Sequence, residues 1–238
     1  MKLTIGRYRD EKAYDETFEP VRRVSTLLDA LFSIRESIDH TLTFESGCRS
    51  GICGACAVKV DGRESLACSI MARDGMRVEP LSGYRPLRDL KVDRSLTEDR
   101  LSSAQAYLHE YGEAVCSEKD EERSRIQSDC ILCGSCYSVC PVVEVDGEFI
   151  GPFALSRSYR YASDPRESGD VDILTAIQSH GVWDCTLCGE CTAVCPQGVD
   201  SKNDILSLRS MSLRAGFSDP SFVSMDFGAG FSFDGAGF

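Results

Sequence analysis

The sequence of 238 residues lacks several features that would define its class at once. It has no apolar run close to the roughly 18 to 20 residues that span a bilayer. Its 26 basic residues are outnumbered by 38 acidic ones, and the net charge of −12 excludes the basic face that nucleic acids require. The three histidines, His40, His109 and His180, stand apart and outside every cysteine motif, which excludes a histidine-ligated Rieske centre.

Cysteine, in contrast, is abundant, with thirteen residues. Two runs, Cys130 to Pro141 (CILCGSCYSVCP) and Cys185 to Pro196 (CTLCGECTAVCP), share the spacing C-x2-C-x2-C-x3-C-P. In bacterial ferredoxins with this spacing, the fourth cysteine of each run ligates the cluster of the other run. A zinc site needs two pairs of ligands and a disulfide framework suits a short secreted chain, so both alternatives are weaker. The two runs predict a two-cluster electron-transfer module.

A third group of cysteines precedes these runs. Cys48, Cys53 and Cys56 have the C-x4-C-x2-C spacing of plant-type [2Fe–2S] ferredoxins, and Cys68 supplies a fourth thiolate. The glycines between them allow positive φ, so backbone N–H groups can turn toward cluster sulfurs. A four-cysteine zinc site is the alternative, but the loop lacks paired C-x2-C knuckles. Cys116 lies outside every motif and is predicted to be a free thiol.

Periodicity predicts an α+β chain that starts with strands. We expect strands over residues 2–9 and 17–24, and then a helix that is capped by Ser25 or Thr26. Asp61-Gly62 is a hairpin signal that would return the chain toward the cysteine loop.

The rest of the chain has a mainly helical pattern. A strand over 76–81 is followed by a linker of residues 83–95 in which Leu87, Leu90 and Val92 are expected to face inward. The predicted helices cover residues 102–111, 118–129, 152–163, 171–179 and 200–214. The segment from Phe217 to Phe238 holds six of the eleven phenylalanines among Gly, Ser and Asp. We expect this tail to dock on a partner subunit, with a crystal contact as the alternative.

Three motifs stand in one order along the chain: CRSGICGACAVKVDGRESLAC, CILCGSCYSVCP and CTLCGECTAVCPQG. In this order they resemble the iron–sulfur subunits of succinate dehydrogenases and fumarate reductases, and FIGPFALSRSYRYASDPRE resembles the helix between that family's two runs. The resemblance extends to about residue 215. It implies a β-grasp [2Fe–2S] ferredoxin domain over 1–93 and an all-α, bacterial-ferredoxin-like helical domain over 94–216, followed by the tail at 217–238.

The resemblance also implies the ligand sets of three clusters. The [2Fe–2S] cluster nearest the flavin would be held by Cys48, Cys53, Cys56 and Cys68. The middle [4Fe–4S] cluster would be held by Cys130, Cys133, Cys136 and Cys195. The distal cluster would be held by Cys140, Cys185 and Cys191.

The partners implied by the resemblance are a flavoprotein, a membrane anchor and a quinone. The flavoprotein would carry covalent FAD and interconvert succinate and fumarate, whereas this chain would perform no bond chemistry. We expect association with the cytoplasmic face of the inner membrane through the partners, with no membrane-spanning segment in this chain. The direction of the reaction depends on the potential of the acceptor.

One departure from the resemblance concerns the distal cluster. The commonest pattern of the family has no cysteine at the position of Cys188 and a [3Fe–4S] cluster there. Since Cys188 adds a fourth thiolate, we predict a second [4Fe–4S] cluster, with [3Fe–4S] as the alternative. The added negative charge should lower the potential of the distal cluster.

A second departure concerns the electron acceptor. Val145, Thr186 and Gln197 stand where the family usually has tryptophan, histidine and lysine. Both departures resemble the branch in which the distal cluster has four irons and a cysteine-rich subunit replaces or joins the heme-carrying anchor. Electrons would therefore pass to an anchor-bound quinone or to a cysteine-rich subunit. The alternatives are the iron–sulfur subunit of a thiol-linked fumarate reductase and a free-standing soluble ferredoxin.

Overall fold

The structure, a computed structural model, describes residues 1–21, 24–167 and 170–223. The strands within these ranges lie in the first 92 residues and form a five-stranded sheet and a two-stranded ribbon. The strands are β1 Leu3–Arg9, β2 Lys12–Phe18, β3 Ala57–Val60, β4 Arg63–Leu66, β5 Met76–Glu79, β6 Pro86–Arg88 and β7 Lys91–Val92. The helices are α1 Leu27–Ser37, α2 Ser95–Ser103, α3 Glu118–Ser128, α4 Ser135–Ser138, α5 Pro141–Val145, α6 Pro152–Ala162, α7 Asp170–Ala176, α8 Glu190–Val194, α9 Ser201–Arg214 and α10 Pro220–Val223.

The first hairpin corrects one of the two strand predictions. β1 confirms the strand predicted over 2–9, but β2 begins at Lys12, so the second strand was predicted too far along the chain. Asp10 and Glu11 have positive φ, of 49° and 61°, and form a two-residue turn that pairs Arg9 with Lys12. Turns with two positive φ values match the twist of paired strands, and the charged residues concealed this turn in the sequence.

Helix α1 connects β2 to β3 and begins where the sequence predicts. The Thr26 side chain accepts a hydrogen bond from the Asp29 N–H (3.1 Å), and the Asp29 carboxylate accepts one from the Thr26 N–H (3.0 Å). This capping box satisfies two N–H groups that have no partner within the helix. The sheet has the order β2-β1-β5-β3-β4, in which β1 and β5 are parallel and the other pairs antiparallel.

The hairpin predicted at Asp61-Gly62 is confirmed. Both residues have positive φ, of 51° and 85°, and connect β3 to β4. After β4 the Ala67 N–H donates to the Cys56 carbonyl at 3.0 Å. The hairpin therefore returns the chain to the cysteine loop and brings Cys68 beside Cys56.

The predicted linker of residues 83–95 contains the ribbon of β6 and β7. Leu90 and Val92 are buried as predicted, but Leu87 is 45% exposed, so its predicted inward orientation is wrong. Neighbouring residues of a strand point to opposite faces, and in the ribbon Pro86 pairs with Val92. Leu87 therefore points away from the face that Val92 occupies.

Three helix predictions hold and two need correction. α3, α6 and α9 match the helices predicted over 118–129, 152–163 and 200–214. The helix predicted over 102–111 is wrong: α2 ends at Ser103, and Gln105 has a φ of 46°, which breaks helical geometry. α7 ends at Ala176, three residues before the predicted end, since the Val182 N–H instead closes a loop onto the Ile177 carbonyl.

Helix α6 is the centre of the second half of the molecule. It packs against α2, α3, α4, α7 and α9. Phe153 and Leu155 on this helix are fully buried, and the Phe153 ring lies 5.8 Å from that of Tyr137 on α4. Because α4 lies inside the first cysteine run, the core of this half directly supports that run.

Candidate metal centres

The loop of Cys48 and Cys53 turns several N–H groups toward sulfur. The Cys48 Sγ accepts hydrogen bonds from the N–H groups of Ser50 (3.4 Å), Ile52 (3.3 Å) and Cys53 (3.3 Å). The Cys48 N–H donates in turn to the Cys53 Sγ at 3.3 Å. The side chain and N–H of Ser50, with the Ile52 N–H, lower the pKa of the Cys48 thiol to about 6. At neutral pH this sulfur is a thiolate, which is the form that binds metal.

The other two cysteines of this group lie under the loop. Cys56 and Cys68 are buried. Burial raises the pKa of Cys56 to about 11, and the thiols of Cys68 and Cys53 add to the effect. A Cβ added at Gly47 would lie 2.8 Å from the Cys53 Sγ, so the loop closes only because this residue has no side chain. The structure thus brings all four predicted cysteines together.

The second group of thiols lines a single cavity. Cys130, Cys133 and Cys136 of the first run face it together with Cys195 of the second run. Burial raises the pKa of Cys136 well above its usual value, and the neighbouring thiols raise it further. The Cys195 Sγ accepts the Val199 N–H at 3.3 Å. Cysteines from both runs therefore meet here, in the crossed pattern that the spacing predicts.

The third group joins Cys140 to the other cysteines of the second run. Burial raises the pKa of Cys191 to about 12, with contributions from the thiols of Cys185 and Cys140. Burial also raises the pKa of Cys140, and the thiols of Cys185 and Cys188 add to the effect. The Leu187 N–H donates to the Cys185 Sγ at 3.4 Å. Cys188 is exposed and lies near Cys140 and Cys185.

The two runs have the same backbone as well as the same spacing. Leu132 and Leu187 occupy equivalent positions and have φ values of 51° and 57°. Two residues later Gly134 and Gly189 have φ values of 84° and 87°, and each is the N-cap of a short helix. The internal repeat that the sequence indicates therefore extends to the loop conformation.

The remaining residues singled out in the sequence lie outside these three groups. Cys116 is partly exposed and apart from the other cysteines. His40 contacts the Arg35 carbonyl through its Nδ1 at 2.9 Å, and His180 contacts Asp146 at 3.1 Å. Within the described ranges, no group of three or more His, Cys, Asp or Glu side chains is placed to hold a single metal ion. Most of the predicted tail, residues 224–238, lies outside the described residues.

Several contacts that support the sites were not predicted from the sequence. Arg209 on α9 donates to the backbone carbonyls of Val182 (2.7 Å), Trp183 (3.2 Å) and Cys185 (2.6 Å) and so holds the start of the second run. Gln197 donates to the Gly51 carbonyl at 3.0 Å. Both contacts join residues far apart in the chain and involve backbone acceptors. No motif could have indicated them.

The donor sets fit iron–sulfur clusters. Each group offers four sulfurs, and backbone N–H groups point at one or more of them, as in loops that hold such clusters. The buried thiols resist ionisation in the metal-free chain, and bound iron supplies the positive charge that offsets this. Fold and sites together define a two-domain iron–sulfur electron-transfer protein.

Comparison with known proteins narrows this class. A family described as "2Fe-2S iron-sulfur cluster binding domain" matches residues 2–99, and one described as "4Fe-4S dicluster domain" matches residues 126–199. The fumarate reductase iron-sulfur subunit of Mycobacterium tuberculosis is 36% identical over 83% of this chain and 87% of its own length. The 8-methylmenaquinol:fumarate reductase iron-sulfur subunit of Wolinella succinogenes is 34% identical over 91% of this chain and 74% of its own length.

The chain belongs to the family of fumarate reductase and succinate dehydrogenase iron–sulfur subunits, and its role is electron transfer. The fold agrees with that of a chain in the Mycobacterium smegmatis Sdh1 complex in the apo form, with a TM-score of 0.79 over 91% of this chain and 97% of that one, at 24% identity. Among the helices of the described part, none has the length and apolar character needed to cross a membrane.

Proposed function

We propose that twelve cysteines of this chain hold three clusters in the sets described above. The observation that carries this proposal is the single cavity lined by Cys130, Cys133, Cys136 and Cys195, because it unites ligands from two runs more than fifty residues apart. The clusters, when bound, accept and release single electrons. The chain's own residues fix the sulfurs, direct N–H groups at them and exclude water from the buried ones.

The distal centre has four irons in this proposal. Burial raises the pKa of the Cys140 and Cys185 thiols, and the nearby thiol of Cys188 adds to the effect at both. A fourth thiolate at this corner supplies the ligand that a three-iron centre lacks. Its exposure places this corner of the centre near the molecular surface.

We further propose a β-grasp fold for residues 1–93 and a helical, bacterial-ferredoxin-like fold for residues 94–216. The parallel pairing of β1 with β5 and the crossing by α1 support the first assignment. The second is supported by the change from strand to helix between Val92 and Ser95.

In its complex the chain would carry electrons between the FAD of a catalytic flavoprotein and a quinone or a cysteine-rich subunit. The names of the two relatives support fumarate reduction and, for the Wolinella succinogenes protein, a menaquinol donor. The chain would have no catalytic residue of its own. It would associate with the cytoplasmic face of the inner membrane through its partners.

The positions at which the chain departs from the resemblance favour a cysteine-rich acceptor. Val145 is 86% exposed and Thr186 is exposed. Gln197 is turned toward the Gly51 carbonyl and thus toward the first cysteine group. None of the three supplies the indole, imidazole or ammonium group that the family usually has at these positions.

Purification of the native complex tests the proposal. A flavoprotein and either an anchor or a cysteine-rich subunit should co-purify, and the complex should reduce fumarate with a quinol donor. Activity with thiols alone would identify a thiol-linked reductase instead. A monodisperse chain that is isolated without a flavoprotein would identify a free electron carrier.

A further inference from the structure

The first cysteine loop touches the first cysteine run directly, at Gly54. Gly54 is buried and has a φ of 71°. A Cβ added to Gly54 would lie 2.8 Å from the Cβ and 2.9 Å from the Cα of Cys133. Carbon atoms in contact are normally about 3.5–4.0 Å apart. The backbone of the loop can therefore approach Cys133 this closely only because residue 54 has no side chain.

Arg94 holds the same contact from the side. Its Nη1 donates to the carbonyl oxygens of Cys133 (3.0 Å) and Leu132 (3.5 Å), and its Nη2 donates to the Gly54 carbonyl (3.5 Å). The rigid fork of the guanidinium lets one side chain bind both loops at once, which a lysine ammonium does less well. Arg94 thus joins the loop to the run through backbone groups on each side.

An acidic residue fixes the orientation of Arg94. The Glu45 carboxylate lies 3.5 Å from the Arg94 Nε and 3.6 Å from the Lys91 Nζ. The Arg94 side chain is 26% exposed, so the ion pair is largely shielded from water. Glu45 lies just before Cys48, and this pair therefore links the start of the first cysteine loop to the junction.

We infer that Gly54 and Arg94 are positioning residues that form the junction for electron transfer between the [2Fe–2S] centre and the middle four-iron centre. The inference rests on the proposed ligand sets. When both clusters are bound, one electron would pass from the reduced [2Fe–2S] cluster to the oxidised four-iron cluster, so that the first would become oxidised and the second reduced. No proton moves and no bond forms or breaks.

The physical effect of the junction is on distance. The rate of electron tunnelling falls exponentially with the separation of donor and acceptor. A side chain at residue 54 would push the loop away from Cys133 by about 0.7 Å or more, since 2.8 Å must open to a normal carbon contact. Loss of the Arg94 guanidinium would remove the hydrogen bonds that join the Gly54 carbonyl to the carbonyls of Leu132 and Cys133.

The test uses the holo complex with the variants Gly54→Ala and Arg94→Gln. Gly62→Ala is the matched control, because Gly62 also has a positive φ, of 85°, but an added Cβ there meets nothing within 4 Å. EPR power saturation of the [2Fe–2S] signal is measured with both centres reduced. A reduced neighbouring centre speeds the spin relaxation of this signal, and the enhancement depends steeply on distance. Rapid freezing after mixing with substrate or reductant then follows the transfer itself.

In both variants we expect the spin relaxation of the [2Fe–2S] signal to be slower than in the wild type. The relaxation rate should approach that of a sample in which the four-iron centre is kept oxidised. The transfer should slow, while the midpoint potentials stay those of the wild type and the Gly62→Ala control behaves as wild type. If Arg94→Gln contains both centres and shows the spin relaxation and the electron-transfer rate of the wild type, the proposed role of Arg94 at the junction is wrong. Loss of a centre from Arg94→Gln would also overturn it, by showing a folding role instead.

Failure of the proposed function has a different signature. If the wild-type complex lacks a [2Fe–2S] signal or a four-iron signal, the ligand sets are wrong. If the wild type shows both signals and only the variants fail to respond, the ligand sets stand and the junction alone is wrong.

Discussion

At the residue scale, sulfur chemistry is set by which backbone groups and charges face each thiol. Cys48 is exposed, and the side chain and N–H of Ser50 together with the Ile52 N–H lower its pKa to about 6. Cys191 is buried among other thiols, so its pKa rises to about 12. The first sulfur is ready to bind iron as a thiolate, whereas the second becomes one when metal binding displaces its proton.

Cys188→Ser tests the distal ligand set. The serine oxygen is a poorer ligand for iron, so the corner iron should be lost and a [3Fe–4S] centre should form. The oxidised variant should then show a [3Fe–4S] EPR signal that the wild type lacks, with the [2Fe–2S] signal unchanged. Cys116→Ser serves as the control, since Cys116 lies outside the three groups. An unaltered distal spectrum in Cys188→Ser would contradict the assignment.

Asp204→Asn tests a buried carboxylate in the first turn of α9. Asp204 is 1% exposed, and burial raises its pKa to about 6 from the usual 3.8. Because the pKa of Asp204 is higher in the folded than in the unfolded chain, the free energy of unfolding falls as the pH rises from about 4 to about 6. Above that range the carboxyl is ionised in both states, and the free energy falls no further on its account. The asparagine keeps the acceptor for the Gln127 Nε2, which donates to the Asp204 Oδ1 at 2.7 Å.

The expected result is a variant that is more stable than the wild type at pH 7 by up to about 3 kcal/mol, at about 1.4 kcal/mol for each pKa unit. The gain should shrink toward pH 5. Anaerobic denaturant unfolding measures it, with Asp172→Asn, at an exposed aspartate, as the control. A less stable variant at pH 7 would show that the ionised carboxylate is favourable in this position.

At the element scale, α9 stabilises the second cysteine run from outside it. Arg209 donates hydrogen bonds to the backbone carbonyls of Val182, Trp183 and Cys185, the last at 2.6 Å. Its guanidinium lies 5.7 Å from the centroid of the Trp183 ring. Buried carbonyls need donors, and here one side chain supplies them. The distal centre therefore depends on a helix that contributes no ligand.

Arg209→Gln should loosen the start of the second run. We expect faster loss of distal-cluster iron under a chelator and a broadened distal EPR signal, with the [2Fe–2S] centre unaffected. Arg214→Gln, an exposed arginine at the end of the same helix, is the control. Equal rates of iron loss from both variants would assign Arg209 no role at the run.

The elements that could be predicted from the sequence are those that neighbouring residues determine. Short-range signals such as the Thr26 cap and the Asp61-Gly62 turn predicted their elements correctly, because neighbouring residues decide them. The turn at Asp10-Glu11 and the early end of α2 were missed, since positive φ at charged residues or at Gln105 leaves no composition signal. Cysteine spacing and the family resemblance predict three ligand sets, which stay a prediction, whereas the Arg94 and Gln197 contacts depend on how distant segments pack.

At the scale of the whole molecule, the two domains meet at the cluster loops. The contacts at Gly54 and Arg94 and the Gln197 hydrogen bond to Gly51 join the first cysteine loop to the later runs. Arg63 at the start of β4 adds a hydrogen bond to the Ala193 carbonyl in the second run, at 3.2 Å. Such an arrangement keeps the sites close and leaves the outer surface for partners.

Deletion of residues 224–238 tests the predicted docking tail. The deletion spares Phe217, which packs against the core. Since a Phe- and Gly-rich segment cannot bury its phenylalanines within itself, we expect weaker assembly and a lower yield of the complex, with the clusters of this chain intact. An unchanged yield of complex would remove the docking role.

The most direct test of the central claim, three clusters with a four-iron distal centre, is EPR of the purified complex in its oxidised and reduced states. We expect no [3Fe–4S] signal in the oxidised sample, and signals from one [2Fe–2S] and two interacting [4Fe–4S] centres after reduction. A strong [3Fe–4S] signal in oxidised wild-type protein, at one spin per chain, would contradict it.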